Sequence, residues 1–243
     1  MSATIAAAAT DPLITLDTLS VAIHGTPILR DVCLDIAAGE IVGLVGESGS
    51  GKSMTALAMI GLLPTGATTE GAIRLDDTDL TGLAERDWLK IRGTQIAMIF
   101  QEPMTALNPV HPIGAQVSET LRLTGTPRAE AQRIARDKLD RVGLAQIGLD
   151  RYPPELSGGQ RQRVCIALAV ARRPRLLIAD EPSTALDVTT QAEILDLLHD
   201  LVRDEGMAML LITHDLGVVA GLAHRVAVMK DGEIVERGQT EPL

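Results

Sequence analysis

Three short strings in this chain carry residue types suited to handling a phosphorylated substrate. Gly46-Glu47-Ser48-Gly49-Ser50-Gly51-Lys52-Ser53 fits the pattern G-x-x-x-x-G-K-[ST], in which glycines let backbone N–H groups close around phosphate oxygens. Lys52 would reach the β- and γ-phosphates, and the Ser53 hydroxyl would ligate Mg²⁺. Asp180 and Glu181 close the apolar run 176–179, where a charged pair is expected to face a cleft. Asp180 would hold Mg²⁺ there, directly or through water, and Glu181 would take a proton from the attacking water as general base. In Leu156-Ser157-Gly158-Gly159-Gln160 a Gly-Gly turn opens a basic helix, which makes a second anion-binding helix end in the same chain.

Two further polar residues end apolar runs. Gln101 follows 96–100 and would point into the cleft beside the metal; His214, with Asp215 next to it, follows 207–213. The position of His214 suits contact with the γ-phosphate and orientation of the nucleophile. One nucleotide has no obvious need of two helix ends from distant parts of the sequence. A two-fold dimer resolves this: each ATP lies between one subunit's phosphate loop and the other's Ser157-Gly158-Gly159. Asp187, in Ser183-Thr184-Ala185-Leu186-Asp187, then falls near the dyad and could link the two sites.

The elements that must position these residues follow from periodicity and turn signals. A strand over 40–45 feeds the phosphate loop, and a helix over 53–63 follows it until Pro64-Thr65-Gly66. Before it, 13–36 predicts two strands around Gly25-Thr26-Pro27, after an Ala-rich lead-in that ends at Asp11-Pro12. A strand over 72–75, a helix over 85–91 and a strand over 96–100 come next. The stretch 101–154 has no strand pattern: a turn-rich 102–112, an amphipathic 113–123 and a charged helix over 128–142 predict a mostly helical insert. Helix 159–172, strand 176–179, helix 188–204, strand 207–213 and helix 216–222 then alternate. Strands 225–229 and 233–237 flank the turn Asp231-Gly232. Such alternation predicts an α/β fold with a mainly parallel sheet and helices on both faces.

Bulk properties narrow the function classes. The 243 residues, 46% of them hydrophobic, suffice for one large α/β domain. No apolar run approaches the ~18–20 residues that span a bilayer, and 5–9 is too short for a signal-peptide core. The product is expected to stay in the cytoplasm, with any membrane role supplied by a separate partner. A net charge of −10 opposes general nucleic-acid binding, and three aromatics (Trp88, Phe100, Tyr152) make no stacking platform for single strands. Cys33 and Cys165, each within an apolar pattern, are expected to be buried reduced thiols.

The order phosphate loop, Gln101, Leu-Ser-Gly-Gly-Gln, Asp-Glu, Ser-Thr-Ala-Leu-Asp, His214 resembles that of ABC transporter ATP-binding subunits over about residues 13–238. Phe100-Gln101-Glu102-Pro103-Met104-Thr105-Ala106-Leu107-Asn108-Pro109 and Ser157-Gly158-Gly159-Gln160-Arg161-Gln162-Arg163 are most similar to the dipeptide, oligopeptide and nickel uptake subgroup. The resemblance implies a P-loop NTPase (RecA-like) core with an antiparallel β subdomain and an inserted α-helical subdomain. Within a single domain over 1–243, residues 13–100 and 161–243 would form the core with its β subdomain, and about 101–160 the helical part. It implies ATP and Mg²⁺ as cofactors, held by residues 46–53, by Ser157, Gly158, Gly159, Gln160 and Asp187, and by Gln101 and Asp180. It implies a second ATPase subunit, identical or different, and transmembrane permease subunits whose coupling helix docks after Gln101. That places the protein peripherally on the cytoplasmic side of the inner membrane.

Where the family stacks an aromatic ring on adenine, this sequence has His24, which either stacks there or points to solvent. Members of the subgroup usually continue past the equivalent of Leu243, so the end at Glu241-Pro242-Leu243 suggests a natural short form or a truncation. The rival reading, a soluble ABC ATPase acting on DNA or ribosomes, calls for coiled-coil insertions, zinc-binding cysteines or basic arms. A regulatory module without turnover would be expected to lack Glu181 or His214.

Overall fold

Antiparallel pairing begins the chain in the computed structural model, which describes residues 11–102, 106–184 and 186–240. Most of the expected lead-in, Pro103-Met104-Thr105, Ala185 and the terminal Glu241-Pro242-Leu243 lie outside the described residues. Strands β1 (Pro12–Ile23) and β2 (Thr26–Ala37) form a hairpin. The turn is His24-Gly25, with φ of 49° and 80°, so Thr26 and Pro27 belong to β2 and not to the turn. Strand β3 (Ile41–Val45) leads into α1 (Lys52–Met59). This helix starts one residue earlier and ends four earlier than its sequence suggests, because Gly61 takes a left-handed φ of 64° ahead of Pro64. Strand β4 (Ala67–Leu75) is longer than 72–75, since its polar first half pairs edge to edge with β1. A short β5 (Thr78–Asp79) completes a four-stranded sheet in the order β2-β1-β4-β5.

Helix α2 (Glu85–Ile91) and strand β6 (Ile96–Ile99) follow. The stretch after β6 holds α3 (Ile113–Arg122) and α4 (Arg128–Leu139), the latter running into a π-helical turn over Asp140–Leu144. No strand interrupts the described residues of this stretch, as expected. The remaining elements are α5 (Gly158–Val170), β7 (Leu176–Asp180), α6 (Val188–Glu205), β8 (Ala208–Thr213), α7 (Leu216–Leu222), β9 (Arg225–Lys230) and β10 (Glu233–Gln239). They build a six-stranded sheet in the order β10-β9-β3-β8-β7-β6, parallel throughout except for β10.

The two-residue period of the central strands divides their side chains between two cores. Val45, Ile99, Leu177, Ala179, Met209 and Leu211 face α3 to α7. Leu44, Ile96, Leu176, Ile178, Leu210 and Ile212 face α1, α2 and the four-stranded sheet. Burial on both faces explains the uninterrupted apolar runs. Cys165 lies in the first core, whereas Cys33 is half-buried, on the less covered edge strand β2, and not buried as expected. Among the described residues no helix is long and apolar enough to cross a membrane.

Candidate active site

The carboxyl ends of β3, β6, β7 and β8 are neighbours in one sheet, and the residues that follow each of them form one cluster. After β3 the loop needs glycine for two separate reasons. A Cβ on Gly46 would lie 2.2 Å from the carbonyl oxygen of Met229, and Gly51 has φ +108° with Leu29 Cδ2 2.7 Å from a would-be Cβ. The turn between β9 and β10 braces the same loop: the Gly232 N–H donates to the Ser50 carbonyl at 2.9 Å. Gly49 has open space where a side chain would be. Lys52 is buried and donates to the carbonyls of Gly46 and Glu47 at 2.9 and 2.8 Å, so its ammonium sits inside the curl of the loop. Lys52 is also the first residue of α1, which aims that helix's N–H groups and positive dipole end at the loop.

At the end of β7, Asp180 is buried. Burial pushes its carboxyl above the usual carboxylate range and the neighbouring Glu181 charge adds to this, while a hydrogen bond from Ser53 and the Lys52 charge work the other way. Asp180 Oδ1 and the buried Ser50 Oγ have no hydrogen-bond partner. An acceptor and a donor left in this state, beside an ammonium and a helix N-terminus, fit a Mg²⁺–phosphate group.

Glu181 holds the centre. Its backbone φ of 46° is strained for a residue with a side chain, and its N–H donates to the Ile212 carbonyl of β8 at 2.9 Å. Its carboxylate gathers three partners. Gln101 Nε2 donates to Oε2 at 3.1 Å, the Thr184 hydroxyl donates to the same oxygen at 2.8 Å, and His214 Nδ1 lies 3.4 Å from Oε1. The structure therefore brings Gln101, Glu181 and His214 together, next to Asp180 and the phosphate loop. Thr184 is a site residue that sequence reasoning missed. Its string, Ser183 to Asp187, is legible in the sequence, but nothing there points the Thr184 hydroxyl at Glu181.

Ser157, Gly158, Gly159, Gln160 and Asp187 gather separately, around one surface hollow. Ser157 caps α5: its hydroxyl accepts from the Gln160 N–H at 3.2 Å and its own N–H donates to Gln160 Oε1 at 2.9 Å. Asp187 caps α6, and hydrogen bonds from the Thr190 N–H and hydroxyl hold its carboxyl below the usual range. His24 lies elsewhere, on the β1–β2 turn, with its ring over Gly66, where a Cβ would be 2.3 Å from Cε1. Its backbone N–H donates to the Gly66 carbonyl at 3.1 Å.

The fold agrees with that of known proteins. The family model for ABC transporters matches residues 29–184. The oligopeptide transport ATP-binding protein AppD of Bacillus subtilis is 49% identical over 222 residues, covering 89% of this chain and 68% of that protein. The peptidoglycan transport ATP-binding protein YejF of Agrobacterium fabrum is 52% identical over 243 residues, covering 96% of this chain but 44% of that one. The chain thus spans about half to two thirds of these relatives. Among solved structures, a dimeric post-hydrolysis state of the ATP-binding cassette MJ0796 bound to ADP and Pi superposes with a TM-score of 0.82 at 30% identity, covering 95% of this chain and all of that one. CbiO1 of Clostridium perfringens, part of the transporter complex cbiONQ, gives 0.84 at 28% identity and covers 95% of this chain and 89% of that one. On the family match and this identity, the chain belongs to the ABC transporter family, as one of its ATPase cassettes.

Proposed function

We propose that this chain, an ABC ATPase, powers uptake of peptides or a related small solute through a membrane permease, working peripherally at the cytoplasmic face of the inner membrane. The import reading is supported by relatives named for oligopeptide and peptidoglycan transport and by the string from Phe100 to Pro109. The domain is best divided as a core over 13–100 and 161–243 around a helical part over about 101–160. The hydrolytic reading rests on one observation above all: Gln101, Thr184 and His214 converge on the carboxylate of Glu181 at the carboxyl ends of the parallel strands.

Residues 46–53 cradle the phosphates of ATP, with Lys52 turning from its loop carbonyls to the β- and γ-oxygens. Ser53, Asp180 and Gln101 would hold Mg²⁺, which when bound neutralises charge on the phosphates. Glu181 accepts the proton of the attacking water, and His214 orients that water and contacts the γ-phosphate. Ser157, Gly158, Gly159 and Gln160 would close over ATP on a second ATPase subunit, with Asp187 linking the two sites.

Glu181→Gln tests this reading, since it keeps shape and loses the base. It is expected to bind ATP, nearly abolish phosphate release, and trap an ATP-dependent dimer in sedimentation that Ser157→Arg blocks. Wild-type turnover in Glu181→Gln would refute the catalytic assignment.

A further inference from the structure

We propose that Arg163 is a positioning residue that braces the turn Ser157-Gly158-Gly159 against the start of α6, and so sets the surface offered to the second subunit's nucleotide. The proposal rests on the two-subunit reading above.

Helices α5 and α6 begin side by side. A Cβ on Gly159 would lie 2.7 Å from Thr190 Cγ2, and one on Gly158 would lie 3.5 Å from Leu186 Cδ2. Thr190 donates its N–H and hydroxyl to Asp187, the residue that caps α6. The glycines therefore serve packing as well as phosphate access: without side chains, the turn rests directly on the cap of the neighbouring helix.

Arg163 and Glu193 each stand six residues beyond the cap of their own helix, about 9 Å along each axis at 1.5 Å per residue. Arg163 Nη2 donates to Glu193 Oε2 at 2.8 Å, and Nη1 donates to the Val142 carbonyl at 3.0 Å. The fork thus ties α5 to α6 and to the π-helical turn in one plane. Gly143 leaves room for it: at φ +80°, its would-be Cβ lies 3.1 Å from Nη1. The Arg163 side chain is 18% exposed and that of Glu193 is 58% exposed, so the pair adds little to stability. It does fix the spacing of two helix N-termini that line one hollow.

On the two-subunit reading the turn Ser157-Gly158-Gly159 acts on the partner's nucleotide, whereas a subunit's own ATP is held by residues 46–53. Breaking the brace should therefore separate ATP affinity from dimerisation and turnover. The variants are Arg163→Glu, Arg163→Lys, Glu193→Arg and the double exchange Arg163→Glu/Glu193→Arg. ATP–Mg²⁺ affinity is measured at concentrations that keep the chain monomeric. Phosphate release is measured in the otherwise unsubstituted chain, and ATP-driven dimerisation by sedimentation in the Glu181→Gln background, where Ser157→Arg runs alongside.

Monomer affinity should stay within about twofold of the parent, as for distant sites. Arg163→Glu should lower turnover and dimerisation by about tenfold or more, as small misplacements do. The exchange should restore the part of the loss that belongs to the α5–α6 ion pair, since a carboxylate at 163 cannot donate to the Val142 carbonyl. Arg163→Lys, which keeps the charge without the fork, should fall between parent and Arg163→Glu. Three results overturn the proposal: parent-level turnover in Arg163→Glu, ATP affinity falling in step with dimerisation, or no recovery in the exchange. If these appear while Ser157→Arg still blocks dimerisation, the brace alone is wrong. If Ser157→Arg changes nothing, the two-subunit reading is wrong and the brace goes with it.

Discussion

Lys138→Met tests how the helical stretch is fastened to the sheet's own helices. Lys138, near the end of α4, meets Glu205, at the end of α6, at 2.7 Å, with side chains only 4% and 5% exposed. Glu205 Oε2 has no hydrogen-bond partner, and Arg141 Nη1 lies 3.5 Å from Oε1. Methionine keeps much of the stem and removes the charge, leaving the carboxylate buried. Losing one member of a buried pair costs about 3–5 kcal/mol. Arg141 remains as a weaker partner, so the low end, about 3 kcal/mol, is expected. At about 2.1 cal/mol/K per residue the unfolding entropy is about 0.5 kcal/mol/K, which makes this a fall in Tm of about 6 °C.

Lys138→Met/Glu205→Leu removes both charges and should return to within about 1 kcal/mol of the parent. Urea and thermal unfolding of parent, both single variants and the double variant complete a double-mutant cycle, with an expected coupling of about 2 kcal/mol or more. Additive losses, or a Lys138→Met protein as stable as the parent, would refute the reasoning.

Lys52→Ala should remove most ATP binding, measured by equilibrium dialysis, because it deletes the ammonium inside the loop. Gln116 clamps the turn after Gln101 by accepting from the Asn108 N–H at 2.9 Å and donating to the Asn108 and His111 carbonyls at 2.9 and 2.8 Å. Gln116→Leu should therefore uncouple transport from hydrolysis in the assembled transporter, and loss of ATP binding instead would count against a coupling role for that turn. His24→Tyr is expected to tighten ATP binding by roughly 0.5–1.5 kcal/mol if the ring meets the base; unchanged ATP and GTP affinities in it and in His24→Ala mean no contact. Burial pushes the Cys165 thiol up to about 12, so a thiol reagent at pH 8 should label half-buried Cys33 in the folded protein and Cys165 only after unfolding.

Much of this site is legible in the sequence because its parts are local. A phosphate loop needs consecutive N–H groups, so its eight residues must be contiguous. A strand buried on both faces must be apolar until it leaves the sheet, so Gln101, Asp180 and His214 mark the ends of three such strands. Helix α2 falls on 85–91 for a similar reason, since its pattern and its ends are written in neighbouring residues.

Tertiary structure decided whatever depends on which strands become neighbours. The order β3-β8-β7-β6 is not the chain order, and only that order lays Gln101 against Glu181, 80 positions away, and His214 against its other oxygen. The length of β4 came from an edge of β1 it could pair with, not from its own polar residues. The brace of Gly232 on Ser50 and the fork of Arg163 on Glu193 each join side chains or turns that no spacing links. Local propensity acts along the chain, whereas these contacts form only when distant segments bury their apolar faces together.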